Sequence, residues 1–204
     1  MYLNKVFSEF IDDLASEKSS PGGGSVAALT GAQAVSLVLM VSRLTLGKKK
    51  YEDVQAEVEE IIRKADPIKS SLMGKVDEDV AIFGEIMGCY KIPKEERDGP
   101  LKECLKKSAY FSFSMVEEGL EIMKMASRIG EIGNSNLISD AAIAVTLGMS
   151  TIESSIINVR INLQPLGDEK VTTELEEKMS SIRQEAQSVK EKAFEIIGKS
   201  LNVE

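Results

Sequence analysis

The stretch SPGGGSVAALTGAQAVSLVLMVSRLTL, residues 20–46, decides how this chain is read. Three consecutive glycines, Gly22, Gly23 and Gly24, open directly onto an apolar run whose one charge is Arg43. The run shows no alternation of period two, and its length and composition suit a helix covered on every side. Length alone would let Val26–Leu46 cross a membrane, but Gln33, Ser36, Ser42 and Arg43 interrupt it. A buried central helix of a bundle is the expected state. Ser25 stands where an N-cap belongs, which would leave the backbone N–H groups of the first turn free to meet an anion or a small ligand. The glycines would allow positive φ and close backbone approach. The same letters also suit a plain turn before a helix.

The remaining segments repeat the helical period. Leu3, Val6, Phe7, Phe10, Ile11 and Leu14 share one face of a helix over Leu3–Ala15. Further helices are expected from Tyr51 towards Tyr90, with an irregularity at Asp66-Pro67, and over Leu101–Ile129, Leu137–Leu163 and Glu169–Ser200. Gly47 followed by Lys48-Lys49-Lys50 ends the central helix with cations where a C-terminus favours them. There is no repeat and no linker composition, so residues 1–204 are expected to form a single-domain, all-α bundle of long antiparallel helices. Two of those helices, Val26–Leu46 and Leu137–Leu163, carry almost no charge around their circumference. That is more apolar surface than one small bundle covers, and a homodimer is expected to bury part of it.

Composition excludes several kinds of function. A net charge of −8 and the absence of Trp argue against nucleic acid as a partner. Cys89 and Cys104 have no metal-type spacing and read as reduced thiols of a cytoplasmic protein; the N-terminus does not resemble a signal peptide. The chain contains no histidine, which removes the usual general base, the usual zinc ligand and every Ser-His or Cys-His nucleophile. No metal site is expected, and acid–base chemistry must fall to carboxylates, lysines, tyrosines or the substrate.

Polar residues appear where the helical pattern calls for apolar ones. Leu72, Val76, Phe83, Ile86 and Tyr90 form a narrow stripe with Asp79 in its middle. A carboxylate there either caps or salt-bridges a neighbouring helix or serves a site; in the second case leucine at this position should strengthen the stripe. On the Leu137–Leu163 helix the face opposite the core carries Asp140, Ala144, Gly148, Thr151, Ser155, Asn158 and Asn162. A solvated face would hold Lys and Glu, so this one suits a polar ligand or a closely packed helix. Lys48–Lys50 reads as a solvated helix end or an anion site.

In order along the chain stand Pro21-Gly22-Gly23-Gly24-Ser25-Val26-Ala27-Ala28-Leu29, Tyr51-Glu52-Asp53, Val76-Asp77-Glu78-Asp79, Lys91-Ile92-Pro93-Lys94, Gly133-Asn134, Ser139-Asp140 and Asn158-Val159-Arg160-Ile161-Asn162-Leu163. This series resembles the cyclodeaminase domain of the formiminotransferase-cyclodeaminase family and its bacterial relatives, which include methenyltetrahydrofolate cyclohydrolases. The resemblance implies an all-helical, dimer-forming enzyme without a tightly bound cofactor, whose substrate is a tetrahydrofolate derivative. The reaction implied first is closure of 5-formimidoyltetrahydrofolate to 5,10-methenyltetrahydrofolate with loss of ammonia; the alternative is hydrolysis of the methenyl compound to 10-formyltetrahydrofolate. A further alternative is a folate-binding or helical interaction protein without turnover. A separate glutamate formiminotransferase is implied as supplier of the formimidoyl substrate. Asp140 and Asp79 are expected to share the acid–base and charge-stabilising roles. Pro21, Gly22, Gly23, Gly24 and Ser25 are expected to hold the ligand, Asn134, Asn158 and Asn162 to orient it, and Lys48 to meet its glutamate carboxylates. The segment from Asp98 to Ile132 matches the family loosely.

Overall fold

A computed structural model describes residues 1–2 and 6–201. Leu3, placed by periodicity in the first helix, lies outside the described residues. The described chain is helical throughout: α1 Phe7–Leu14, α2 Gly23–Thr45, α3 Gln55–Tyr90, α4 Asp98–Ile132, α5 Ile138–Leu166 and α6 Glu169–Leu201, with short 3₁₀ turns at Lys49–Val54 and Ser135–Leu137.

Side-chain pairs show how the long helices run. Arg128 holds Glu57, Lys75 holds Glu118 and Lys107 holds Glu85, so α3 and α4 are antiparallel. Arg43 bonds Asp66 near one end of α2 and Ser25 bonds Asp79 near the other, so α2 and α3 are antiparallel too. A Cβ built on Gly23 would meet Asn158 and one on Gly31 would meet Thr151, which sets α5 antiparallel to α2. Arg160–Glu176 and Arg183–Glu153 close α6 back along α5. Buried residues of all six helices form one continuous core, with Leu39, Leu72, Met115, Ile122, Ile152 and Leu175 among its largest fully buried side chains.

Several boundaries differ from the sequence expectation for local reasons. The helix α3 continues through Pro67, and α5 runs past Leu163 to Leu166 before Gly167, at φ 64°, turns the chain. Gly47, at φ 71°, does the same after α2. Ser25 is not an N-cap: α2 begins at Gly23 after Gly22, whose φ of −136° is ordinary extended backbone.

The face of α5 that lacks charge is two seams and one pocket wall. Ala144, Gly148, Thr151 and Ser155 are buried, Gly148 lying against Gly119 and Met123 of α4 and Thr151 against Gly31 of α2. Both α2 and α5 are long and apolar enough to cross a membrane, and 61% and 44% of their most apolar windows are buried inside the bundle. Apart from Arg43, paired with Asp66, and Arg160, paired with Glu176, what they leave exposed is uncharged and includes Gln33, Ser36 and Leu44 on α2, and Ile143, Thr146, Ser150, Ile157 and Ile161 on α5.

Candidate active site

One end of the bundle holds a cavity of about 340 Å³ where the start of α2, the second half of α3, the start of α4 and the end of α5 meet. The α2 side is bare backbone at Gly22, Gly23 and Gly24. Phe83, Ile86 and Tyr90 of α3, Leu105 of α4, and Ile161 and Pro165 of α5 form apolar walls. Polar groups enter from three sides: Asp79 from α3, Ser108 and Ser112 from α4, Asn158 and Asn162 from α5. A concave, largely apolar space with a few convergent polar groups is the usual form of a small-molecule site.

Asp79 is the one carboxylate among the described lining residues. Its Oδ2 accepts the Ser25 backbone N–H at 2.8 Å, and Ser25 Oγ lies 2.9 Å from the same oxygen. Asp79 therefore caps the first turn of α2 from another helix, satisfying a donor that the helix itself cannot. No glycine of the run has positive φ; what Gly24 supplies is room. Burial pushes the Asp79 carboxyl above its ordinary range, and the two Ser25 donors pull it back in part. The cap and the pocket group are one residue, so the two roles that the apolar stripe left open are both filled.

The remaining predicted site residues divide into two groups. Gly22, Gly23, Gly24, Asp79, Asn158 and Asn162 converge on the pocket. Pro21 and Ser25 are buried and absent from its lining; Ser25 has no exposed surface and its polar atoms serve Asp79 and the Val76 carbonyl. The pocket does not include Lys48, Asn134 or Asp140, which gather at the opposite end of the bundle. Lys48 follows the C-terminal end of α2, about 30 Å from Gly23 at the ordinary helical rise. The Asn134 N–H donates to Thr45 Oγ1 at that same end, and Asp140 sits in the first turn of α5. Expecting these three to join the pocket of the same chain is thus corrected: antiparallel helices of this length keep them apart.

That distal end has its own polar cluster. The Ser135 N–H donates to Tyr51 Oη at 3.1 Å, Ser135 Oγ is 3.4 Å from it, and Lys50 Nζ stands 5.2 Å from the ring centroid. The Ser135 hydrogen bonds lower the Tyr51 phenol to about 8.

Ser108 and Ser112 were not anticipated. Both are nearly buried, line the pocket and have no side-chain hydrogen bond among the described residues. Their signal was available: with Leu105 they occupy one face of α4 at spacings of three and four, hydroxyls set into an otherwise apolar stripe. Phe83, Ile86 and Tyr90, expected as an apolar stripe, wall the pocket; Ile86 also belongs to the core, and Tyr90 is 44% exposed.

Fold and site together define an all-helical protein with a small-molecule pocket built around one capped carboxylate. The profile described as Formiminotransferase-cyclodeaminase matches residues 6–181. The methenyltetrahydrofolate cyclohydrolase of Methylorubrum extorquens is 33% identical over 98% of this chain and 99% of its own length. The rat formimidoyltransferase-cyclodeaminase is 26% identical over 88% of this chain, which spans only 34% of that longer enzyme. A formiminotetrahydrofolate cyclodeaminase of Thermotoga maritima, known from a crystal structure, superposes with a TM-score of 0.92 at 27% identity over 98% of this chain and all of that one. The chain belongs to the formiminotransferase-cyclodeaminase family.

Proposed function

We propose that the pocket takes a tetrahydrofolate derivative as substrate and that the protein acts on the carbon bridging N5 and N10 of 5,10-methenyltetrahydrofolate. The observation that carries this is Asp79, the one carboxylate among the described lining residues, set beside bare glycine backbone with no cation paired to it among the described residues. The methenyl bridge is a cation, and an unpaired carboxylate in a low-dielectric pocket favours charge of that sign. Asn158 and Asn162 supply amides suited to the pterin edge, and the apolar walls suit its rings.

Hydrolysis to 10-formyltetrahydrofolate is our first reading, supported by the full-length relative from Methylorubrum. Water adds to the bridging carbon and gives a proton to Asp79. The bond from that carbon to N5 then breaks, N5 takes a proton, and the adduct hydroxyl loses its own as the formyl C=O forms. Cyclodeamination is the second reading, supported by the likeness to the Thermotoga enzyme over the whole chain. There N10 attacks the formimidoyl carbon and its proton passes to the former imino nitrogen; protonated Asp79 then gives that nitrogen a second proton as its bond to carbon breaks, leaving ammonia and the methenyl cation. The substrate would then come from a glutamate formiminotransferase. Ultraviolet absorbance of the methenyl chromophore separates the two. Loss of the chromophore faster than in buffer supports hydrolysis; its appearance from 5-formimidoyltetrahydrofolate with release of ammonia supports cyclodeamination. No effect on either compound would overturn both.

The proposal includes a cytoplasmic homodimer. Its support is the uncharged exposed stripe of α2 and α5, on which Ile143, Ile157 and Ile161 are 49%, 68% and 62% exposed. A two-fold axis across that stripe sets the helices of two copies antiparallel. The distal end of one copy, with Lys48, Asn134 and Asp140, then lies beside the pocket end of the other. In this reading the partner's Asp140 joins Asp79 in the acid–base work, and Lys48 meets the glutamate tail.

A further inference from the structure

Ser25 stands behind the pocket, and its contacts are unusual for a helix residue. Its N–H donates to Oδ2 of Asp79 at 2.8 Å. Its hydroxyl oxygen is 2.9 Å from Oδ2 and 3.0 Å from the carbonyl oxygen of Val76, one turn earlier on α3. Oδ1 of Asp79, beside the pocket-lining Gly24, accepts no hydrogen bond from the described residues. The two oxygens of this carboxyl group are therefore inequivalent.

We propose that Ser25 is a positioning residue that pins Oδ2 of Asp79 with two donors and so leaves the exchangeable proton to Oδ1, the oxygen next to the pocket. A carboxyl oxygen already accepting two hydrogen bonds is the poorer proton acceptor, so protonation goes to its partner. The Val76 carbonyl completes the device. When Asp79 is ionised, the Ser25 hydroxyl donates to Oδ2. When Oδ1 carries the proton, Oδ2 becomes a weaker, neutral acceptor and the hydroxyl turns to Val76. Neither state leaves a buried hydroxyl without an acceptor. The carboxyl group can thus take up and release a proton without movement of α2 or α3.

The surroundings leave this control to Ser25. The other groups sharing the pocket with Asp79 are uncharged: Gly24 on α2, Ser108 and Ser112 on α4, Asn158 and Asn162 on α5, with Tyr90 further along α3. On α3 itself, Lys75 is one turn away and bound to Glu118, while Asp77 receives the Tyr2 N–H and Glu78 is exposed.

The inference rests on Asp79 as the acid–base group, and the test keeps the two separable. Isotope-edited NMR of aspartate carboxyl carbons follows the Asp79 titration directly, its resonance identified by its loss in Asp79→Asn. Ser25→Ala removes one of two donors to the ionised form. The Asp79 midpoint should rise by about one pH unit, and the matching limb of kcat/KM should move with it. Ser25→Thr keeps the hydroxyl and should hold the midpoint at the wild-type value. An unmoved midpoint in Ser25→Ala, or equal shifts in the Ala and Thr variants, would overturn the role given to Ser25. Wild-type turnover in Asp79→Asn would instead overturn the acid–base reading of Asp79, and the NMR midpoints would still decide whether Ser25 governs that carboxyl group.

Discussion

A Cβ atom on Gly24 would stand 1.9 Å from Oδ1 of Asp79 and 2.5 Å from its Cγ. The glycine run and the carboxylate, 55 positions apart in sequence, are therefore one structural unit. Gly24 is the place where α2 lets the carboxylate lie against its first turn.

Gly24→Ala should accordingly push the Asp79 carboxylate away from Ser25. Alanine is favoured over glycine in a helix by about 1 kcal/mol, but a lost charge-assisted cap costs about 1.5–3 kcal/mol. The expected result is a lower melting temperature together with at least a tenfold fall in kcat. Gly23→Ala is the control. Its Cβ would sit 3.6 Å from Asn158 Oδ1, an ordinary contact, so stability should hold or rise slightly while the added methyl raises KM. Equal behaviour of the two variants would show that close approach at Gly24 is not what matters.

Asp79→Asn and Asp79→Leu should part company in stability, although both should lose activity. Asparagine keeps an acceptor for the Ser25 N–H; leucine leaves that buried donor unmet, at a cost of about 1–3 kcal/mol. Periodicity suggested that leucine would strengthen the stripe, and the capping bond reverses that expectation. The pH dependence has a definite sign. The folded-state pKa of Asp79 is raised, so its contribution to stability is fully present below the unfolded value and is lost as pH rises through the folded one. Chemical denaturation from pH 4 upward should therefore show wild type losing stability relative to Asp79→Asn until Asp79 is fully ionised.

Tyr51 gives a spectroscopic prediction at the other end of the bundle. Its phenol is lowered to about 8 by its Ser135 hydrogen bonds, so a tyrosinate absorbance step should appear near that pH. Tyr51→Phe should abolish the step. Ser135→Ala removes the hydroxyl contact and keeps the backbone donor, so the midpoint should move up, towards 10, without reaching it. For stability the sign is opposite to that of Asp79: the depressed phenol pKa contributes above pH 10, and that contribution is lost as pH falls through about 8. A titration with no step below pH 9 would contradict the geometry around Ser135.

What the sequence made legible follows from what is local. The 3.6-residue period marks every long helix, and the low charge of α2 and α5 marks the two whose exposed faces are largely apolar. Asn158 and Asn162 were legible because amides replace charges on an otherwise apolar helix. The partner of Ser25 was not, because a capping carboxylate normally comes from the helix's own first residues and here comes from α3. Nor was the grouping of the motifs. Antiparallel helices send successive motifs to alternate ends: α2 starts at the pocket with Gly23 and finishes beside Lys48, whereas α3 starts near Tyr51 and reaches the pocket at Asp79. In the same way α4 passes Ser108 before ending near Asn134, and α5 leaves Asp140 behind before arriving at Asn158 and Asn162. Motif order along the chain carries no record of which end each one reaches.

This alternation makes the dimer testable through complementation. Asp140 lies about 27 Å along α5 from Asn158, too far to touch a ligand in the pocket of its own chain. If the partner's Asp140 completes each site, Asp79→Asn and Asp140→Asn are each inactive as homodimers. Mixing them under conditions that exchange subunits pairs one intact pocket with one intact distal end in every heterodimer, while the other site of that heterodimer carries both lesions. Random pairing makes half of all dimers mixed, each with one working site of two, so about a quarter of wild-type activity should return. Replacing Ile143 and Ile157, which lie outside the pocket lining, with lysine in both variants places like charges on the exposed stripe of α5 and should abolish the recovery together with the proposed dimer, as read by light scattering. Full activity in Asp140→Asn alone, or a mixture no more active than its components, would exclude Asp140 from any shared site and leave Asp79 as the single acid–base group of a one-chain pocket.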